Sequence, residues 1–362
     1  SYQSVLDQAN YSFGGTVVQG VAPVDGANRD LIWETTETLN FGLDMGFLGN
    51  QYTLSIEGYR KLTYDILMKL PVSTLYGLNA PYQNAGKVKN TGLEITAGYK
   101  LNTHGWNFQV SANAAYNKNE VMDLKNGGAR IWSGKYFNQE GYAINSIGGY
   151  IAEGLFKTEE EVANSATIPG TDTAPGDIKY RDINNDGKID GEDRVYIGNT
   201  MPKGTFGLNL FAEWKGLDAT FLFQGAADVQ GYLAGPGVVG EMIGAKGKPS
   251  YMYRDCWDAE TNPNGKFPRA FSSYRQNNSI YNPSSFWIVN SSYLRLKNFQ
   301  LGYTLPKEWC NMMGISRIRV YYSGQNLLTF TKFDKGFDPE SPEGGSSYPQ
   351  VKTNTFGLNI TF

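Results

Sequence analysis

Residues 31–66 read LIWETTETLNFGLDMGFLGNQYTLSIEGYRKLTYDI, and their alternation is the strongest structural signal in the chain. Apolar side chains stand at the odd positions 31, 33, 39, 41, 43, 45 and 47, with mostly polar side chains between them. A Gly49-Asn50 turn follows, and the alternation resumes from Tyr52 to Ile66. A period of two indicates β-strands with one apolar and one polar face. Two runs of roughly fifteen residues across a tight turn exceed the usual strand of about 3–10 residues.

The same alternation recurs along the rest of the chain, which brings the number of expected strands to about nine. The further segments are 93–101, 106–116, 206–210, 217–223, 299–303, 318–330 and 356–362. Leu294 and Leu296 have the opposite phase to Phe299 and Leu301. We therefore expect a β-bulge near Lys297-Asn298.

The connections between these strands alternate in length. Short turns lie near 48–50, 102–105 and 214–217, with a modest link at 305–316, whereas long segments occupy 69–86, 121–202, 231–289 and 331–350. Outer-membrane barrels have short periplasmic turns and long extracellular loops. The pattern predicts an all-β fold, an antiparallel transmembrane β-barrel with long extracellular loops at 121–202 and 231–289. The last strand, which ends at Phe362, is also typical of outer-membrane barrels.

Composition narrows the classes of function. The chain has 362 residues, 14% aromatic and 19% charged, with a net charge of -3, one histidine and two cysteines. This balance argues against a nucleic-acid binder, and His104 alone is a poor basis for catalysis or a zinc site. No signal peptide or apolar helix is visible, and the abrupt start suggests that an upstream part is missing. We expect a protein that is not an enzyme, with no Cys256–Cys310 disulfide.

A calcium-type loop lies at 182–193. Oxygen-bearing side chains stand at positions 1, 3, 5, 9 and 12 of such a loop, and position 7 offers a backbone carbonyl. These residues are Asp182, Asn184, Asp186, Asp190 and Asp193, with Lys188 for the carbonyl. Gly187 supplies the sharp turn, and Asp193 replaces the usual bidentate Glu, as in dockerin-type loops. We expect a structural Ca²⁺, the alternative being an Asn/Asp/Gly turn cluster.

With these features in place, the chain resembles the C-terminal part of SusC/RagA-type TonB-dependent outer-membrane transporters of the Bacteroides group. The segments that carry the resemblance are 28–47 (NRDLIWETTETLNFGLDMGF), 84–94 (NAGKVKNTGLE), 175–199 (PGDIKYRDINNDGKIDGEDRVYIGN), 293–305 (YLRLKNFQLGYTL) and 348–362. The resemblance implies a 22-stranded barrel, of which residues 1–362 supply the C-terminal ten or so strands. The plug, the TonB box and the first strands would precede this sequence.

The resemblance also implies partners and cargo. A SusD-like surface lipoprotein would cover the extracellular mouth, and the TonB complex would act through the missing N-terminal part. The cargo would be an oligosaccharide or a peptide, imported across the outer membrane of a Gram-negative bacterium. A secreted calcium-dependent carbohydrate-binding β-sandwich remains the alternative, because one solvated sheet face also gives alternation.

Aromatic and charged residues have expected places in this scheme. Loop aromatics would either stack on sugars and a lid protein or pack within the loops: Trp132, Tyr136, Phe137, Tyr142, Tyr150, Tyr251, Tyr253, Trp257, Phe267, Phe271, Tyr274, Tyr281 and Trp287. Trp106, Tyr116 and Trp214 suit an interfacial aromatic girdle. Charged residues expected to face the lumen are Glu34, Glu57, Lys61, Glu94, Lys100, Arg317 and Arg319. The stretch 157–162 predicts one or two helical turns.

Overall fold

The computed structural model describes residues 5–233, 251–270, 282–333, 337–341 and 350–362. Within them the chain is built almost entirely from β-strands, as the alternation predicted. In chain order the strands are β1 (Val5–Phe13), β2 (Thr16–Asp25), β3 (Thr35–Phe47), β4 (Tyr52–Lys69), β5 (Tyr82–Thr103), β6 (Trp106–Asp123), β7 (Ile131–Ser133), β8 (Tyr136–Asn138), β9 (Ser146–Gly149), β10 (Ala152–Leu155), β11 (Ile178–Tyr180), β12 (Val195–Gly198), β13 (Gly204–Trp214), β14 (Leu217–Ala227), β15 (Gln230–Tyr232), β16 (Ile288–Asn290), β17 (Tyr293–Thr304), β18 (Arg317–Thr331) and β19 (Thr353–Thr361).

The helices are short. They are α1 (Glu159–Ala163), α2 (Tyr251–Arg254) and α3 (Lys307–Met312), with 3₁₀ turns at Thr74–Tyr76, Gly191–Asp193 and Ser285–Trp287. Helix α1 confirms the helical turn predicted at 157–162, and the Thr158 side chain accepts a hydrogen bond from the Glu161 N–H at its start. In the described residues we find no helix with the length and apolarity needed to cross a membrane.

Nine strands form one sheet, in the order β19-β18-β17-β14-β13-β6-β5-β4-β3. From β6 through β13, β14, β17 and β18 to β19, each neighbouring pair is antiparallel. Strands β3–β4, β5–β6 and β13–β14 are joined by tight turns, and α3 fills the β17–β18 link, whereas every other connection is long. The predicted number of strands and the alternation of loop length are both confirmed. His104-Gly105 and Lys215-Gly216 each combine two positive φ angles, which is the geometry of a type I′ hairpin turn.

The register divides the sheet into two chemically distinct faces. One cross-strand row reads Trp106, Trp214, Leu217, Tyr303, Val320 and Leu358. We call this side the apolar face. A row on the opposite side reads Asn113, Gly207, Gln224, Arg295 and Thr329, and we call that side the polar face.

The predicted bulge lies where the phase changes in β17. Leu222 and Phe223 of β14 are adjacent, whereas their partners Asn298 and Leu296 have Lys297 between them, so Lys297 is an extra residue relative to β14. The β17–β18 register is irregular at the same place, where residues 326 and 327 lie opposite Lys297. On the N-terminal side of the bulge, Leu296 pairs with Phe223 and Leu328, so it stays on the apolar face. An uninterrupted strand would have turned this side chain to the polar face, because successive side chains alternate.

A hairpin formed by β1 and β2 was missed by the sequence analysis. Its Gly14-Gly15 turn has two positive φ angles, and a Gly-Gly dipeptide between apolar runs is a hairpin signal. Exposed apolar side chains line both strands, among them Leu6, Phe13 and Val17. The hairpin raises the number of long strands in the described residues to eleven.

The chain divides into two compact units. The first comprises residues 1–41, 58–93 and 117–145, and the second comprises residues 42–57, 94–116 and 146–362. Val88, Val121 and Leu124 form a buried core in the first unit. In the second unit, Ala226 near the end of β14, Val229 just after it and Tyr293 at the start of β17 are buried together.

Candidate functional site

The long connections of the second unit fold into a body with its own core. Short strands pair within it, β9 with β12, β10 with β11 and β15 with β16. Fully or nearly fully buried side chains fill its interior: Ile147, Phe156, Ile178, Tyr180, Ile189, Tyr232, Trp257 and Trp287. The loops are therefore self-supporting, since they bury enough apolar surface to hold a defined shape.

The predicted loop aromatics divide between core and surface. Phe137, Tyr150, Trp257 and Trp287 are buried, which favours packing within the loops for these four. Trp132 and Tyr142 flank Phe137 at ring-centroid distances of 5.3 and 5.4 Å. Phe271, Tyr274 and Tyr281 lie outside the described residues, as do the side chains of Tyr251 and Tyr253.

An ion pair between a buried carboxylate and a half-buried arginine joins two of the long loops. Arg269 donates from Nε and Nη2 to the two carboxylate oxygens of Asp177, each at 3.1 Å. The same Nη2 reaches the Asp172 carbonyl at 3.2 Å. Burial raises the pKa of the Asp177 carboxyl, and the Arg269 guanidinium offsets this only in part. Gly176 has a φ of +90°, and a Cβ there would collide with the Trp257 ring. The close contact between the two loops at position 176 therefore requires glycine.

The calcium-type loop has the backbone arrangement expected of its motif. Asp182 accepts from the Asp186 and Gly187 N–H groups at 3.3 and 2.8 Å. Asn184 also accepts from the Asp186 N–H, at 3.1 Å. Gly187 has a φ of +85°, as the sharp turn requires. The side chains at positions 1 and 3 thus hold the backbone of the loop in a tight turn.

The other end of this loop is fixed by Asp193. Its side chain is fully buried, and its two oxygens accept from the Ile183 and Asp190 N–H groups, both at 2.8 Å. Ile189 is 1% exposed and its N–H donates to the Thr167 carbonyl at 2.9 Å. Ile189, at position 8 of the loop, is therefore anchored in the core of the loop body.

Lys188 introduces a feature that the motif did not predict. Its Nζ lies 2.7 Å from Asp190 Oδ2 and 3.5 Å from Asp186 Oδ2. The Lys188 ammonium holds the pKa of the Asp190 carboxyl below its ordinary value. In the described part of the chain, no group of three or more His, Cys, Asp or Glu side chains converges as metal ligands do. The side-chain oxygens of this loop are of the type that Ca²⁺ prefers. The Lys188 ammonium, however, already pairs with two of these side chains, Asp186 and Asp190.

On the polar face, a second charged cluster escaped the sequence analysis. Arg295, on β17, donates to Asp338 at 2.8 Å and lies 3.0 Å from Glu340, and the Arg295 and Asp338 side chains are 4% and 5% exposed. Lys297 at the bulge reaches Glu340 at 3.1 Å. The cluster holds residues 337–341 against the sheet. The two basic residues of the cluster lie in the sequence YLRLKN (293–298). No sequence period connects them to their acidic partners, which lie 43 residues further along the chain.

Several predicted residues take clear positions on the sheet. Arg319 binds Asp218 through two hydrogen bonds, 2.9 and 2.5 Å long, and Gly302 on the intervening strand leaves room for the guanidinium. Arg317 reaches the Thr304 hydroxyl at 3.3 Å. Glu57 and Lys61 lie within β4, Glu94 and Lys100 within β5, whereas Glu34 precedes β3.

The remaining predicted residues have simpler surroundings. Trp106 and Trp214 stack at 5.3 Å, and Tyr116 lies on the same face of β6 as Trp106. His104 occupies the β5–β6 turn. Cys256 and Cys310 are both free and buried, and burial raises the pKa of the Cys256 thiol to about 11.

Comparison with known proteins gives one consistent family. Residues 1–327 match the family model described as TonB dependent receptor-like, beta-barrel. TonB-dependent receptor P3 of Formosa agariphila is 31% identical over 373 residues, and TonB-dependent receptor SusC of Bacteroides thetaiotaomicron is 28% identical over 388 residues. The alignments cover 96% and 98% of this chain but only 36% and 34% of those relatives.

Solved structures agree with the sequence relatives. The structure of the RagAB peptide transporter matches all of this chain with a TM-score of 0.77 and 27% identity, over 39% of that protein's chain. The same importer in a closed-closed state gives a TM-score of 0.76. The chain therefore spans less than two fifths of the length of the relatives it matches.

Proposed function

Because the chain belongs to the TonB-dependent receptor-like β-barrel family, we propose that it forms part of an outer-membrane importer of oligosaccharides or peptides. In this proposal it contributes wall strands and extracellular loops to the transporter subunit of a SusCD-like complex. A SusD-like surface lipoprotein would seat on the long loops, and the TonB complex would supply energy. The cargo would cross without chemical change.

The observation that carries the proposal is the two-faced sheet with one short and one long set of connections. Trp106 and Tyr116 lie on the apolar face of β6 and pair with Trp214 and Gly204. Ten residues of strand rise about 34 Å, and a tilt of about 45° projects this to about 24 Å, close to the ~25 Å apolar band of outer-membrane barrels. The spacing supports the aromatic-girdle interpretation for both ends of this strand.

The proposal is tested in a Bacteroides-type cell that expresses the full transporter with and without its TonB complex. We expect the protein in the outer-membrane fraction, extractable only by detergent, and cargo accumulation that stops when TonB is removed. Recovery as a soluble monomer, or uptake that persists without TonB, would contradict the proposal.

The alternative, a secreted calcium-dependent carbohydrate-binding β-sandwich, is not favoured. A sandwich packs two sheets face to face, whereas nine long strands here form one sheet with an exposed apolar face. Phe41, Phe356 and Phe362 are each more than 80% exposed. Such a face suits hydrocarbon better than water.

We further propose that residues 182–193 bind a structural Ca²⁺. The ligands would be the side-chain oxygens of Asp182, Asn184, Asp186, Asp190 and Asp193 and the Lys188 carbonyl. The hydrogen bonds from the loop backbone to Asp182 and Asn184 support the proposal. The Lys188 ammonium would have to leave Asp190 when the ion binds. We expect an affinity of about 10⁻⁴–10⁻³ M, as in extracellular modules. Calorimetry that detects no Ca²⁺ binding, with unchanged terbium luminescence, would refute it.

A further inference from the structure

A patch of uncharged hydrogen-bonding side chains surrounds Gly207 on the polar face of the sheet. Cross-strand pairing places Asn113 on one side of Gly207 and Gln224 on the other. Thr205 and Asn209 lie two residues before and after Gly207, so they share its face. We call these five residues the amide patch.

The patch lies beneath an open cavity of about 600 Å³, which Asn113, Thr205, Gly207 and Gln224 help to line. Gly207 leaves room for the Asn113 amide to lie over β13, because a Cβ there would lie 2.5 Å from Asn113 Oδ1. Since neighbouring strands are about 4.8 Å apart, the strands of the two amides are about 10 Å apart. A volume of this size lies within the range of small-molecule sites, roughly 300–1,000 Å³.

The patch offers hydrogen-bonding groups that the protein does not use. Among the residues the structure describes, the side chains of Asn113, Thr205 and Asn209 have no protein partner. An amide donates from its nitrogen and accepts at its oxygen, and a hydroxyl does both with one atom. The unpaired groups therefore match a ligand that presents donors and acceptors together.

The cavity offers no free charge. Glu340 is the one charged side chain among its described lining residues. It lies 3.0 Å from Arg295 and 3.1 Å from Lys297, and Arg295 also pairs with Asp338. Two cations and two anions thus cancel at the edge of the cavity. A charged ligand would find no counter-ion there that is not already paired.

The backbone hydrogen-bonding groups beneath the patch are already paired. Strand β13 pairs along its whole length with β6 on one side and β14 on the other. An extended peptide binds a sheet through an unpaired edge strand, and β13 offers none. Among the described residues at this cavity, we find neither of the main features that select a peptide, which are free backbone groups and unpaired charges for its termini.

We propose that the amide patch is a binding subsite for a neutral, hydroxyl-rich segment of the cargo, an uncharged oligosaccharide. This rests on the proposed transport function and narrows its substrate class. Asn113 and Gln224 bind hydroxyls on either side of the ligand, Thr205 and Asn209 bind along its length, and Gly207 lets the Asn113 amide lie over β13.

The test measures binding to the full transporter, purified with its surface lipoprotein. The probes are neutral hexasaccharides of the α-glucan, β-glucan, xylan, mannan and fructan types, with hexapeptides of free and blocked ends as the competing class. Asn113→Ala removes one amide, and Gly207→Ala displaces it. Gly42→Ala is the matched control, because Gly42 is a strand glycine with open space around its Cα.

We expect at least one saccharide to bind, and both patch variants to weaken it by about tenfold, as the loss of one or two hydrogen bonds would. The Gly42→Ala control should stay within about twofold of the parent, a difference below the worth of one hydrogen bond. Binding of peptides but of no saccharide, or saccharide affinity indifferent to both patch variants, would overturn the subsite. TonB-dependent uptake of the bound probe is scored separately. Its loss with saccharide binding intact would contradict the transport function and leave the subsite standing.

Discussion

At the scale of single residues, we expect Lys188 to compete with a cation for the carboxylates of the loop at 182–193. Its Nζ pairs with Asp190 and Asp186, which are proposed calcium ligands. Lys188→Met removes the ammonium but keeps the backbone carbonyl, so we expect Ca²⁺ or Tb³⁺ to bind about two- to fivefold more tightly, the equivalent of an exposed ion pair. Terbium luminescence titration measures this. Affinity that falls or stays the same would argue that Lys188 does not compete with the metal.

Cys256 gives a second prediction at this scale. Burial raises the pKa of its thiol to about 11, so at pH 8 only about one molecule in a thousand carries the reactive thiolate. We expect iodoacetamide to leave Cys256 unmodified in the folded protein and to modify it after denaturation. Intact-mass and peptide mass spectrometry follow the modification. Rapid labelling of the native protein would mean that the loop body opens at this point.

At the scale of elements, the Asp177–Arg269 pair holds two long loops together. Arg269→Ala leaves the Asp177 carboxylate buried without its cation, which costs on the order of 3 kcal/mol. Limited proteolysis should then cut the loops near 175 and 265 faster than in the parent. Arg181→Ala is the control, because Arg181 pairs with Glu153 at 2.8 Å on the exposed surface. Equal cleavage of the two variants would show that the buried pair does not hold the loops.

At the bulge, the presence of an extra residue at position 297 matters more for folding than the lysine side chain does. Deleting Lys297 shifts the phase of residues 293–296 and turns Arg295 to the apolar face, away from Asp338. We expect a loss of about 3 kcal/mol or more, since a buried pair is broken and an arginine faces lipid. Lys297→Ala keeps the residue count and should fold normally. Heat-modifiable migration on SDS gels reports the folded fraction, and equal migration of both variants would contradict this interpretation.

At the scale of the whole molecule, the two faces should tolerate charge very differently. Ala112 lies on the apolar face of β6, near the middle of the span between Trp106 and Tyr116, and Ser111 lies on the polar face beside it. We expect Ala112→Arg to cost about 2–4 kcal/mol, the range for arginine at the bilayer midplane, and Ser111→Arg to be nearly neutral. Folded yield in the outer membrane compares them. A cost at Ser111 equal to that at Ala112 would reverse the assignment of the faces.

Much of this architecture could be predicted from the sequence because strand alternation is a local property. The bulge followed from the opposite phases of Leu296 and Phe299, and the loop alternation from the spacing of strands. The β1–β2 hairpin was missed although Gly14-Gly15 marks its turn. The Arg295 cluster and the Asp177–Arg269 pair could not be found, because their partners are 43 and 92 residues apart and no period connects them. The position of Lys188 Nζ depends on a rotamer that a motif does not specify.

The two ends of the nine-stranded order, β3 and β19, have a consequence for how the protein enters a membrane. Along each, roughly every second residue points its N–H and C=O groups away from the described sheet, with no described strand to receive them. In hydrocarbon every such group costs several kcal/mol, so a sheet with open edges is poorly soluble in lipid despite its apolar face. Insertion and edge pairing must therefore proceed together. For this chain, entering the bilayer and completing the ring of hydrogen bonds are one thermodynamic event.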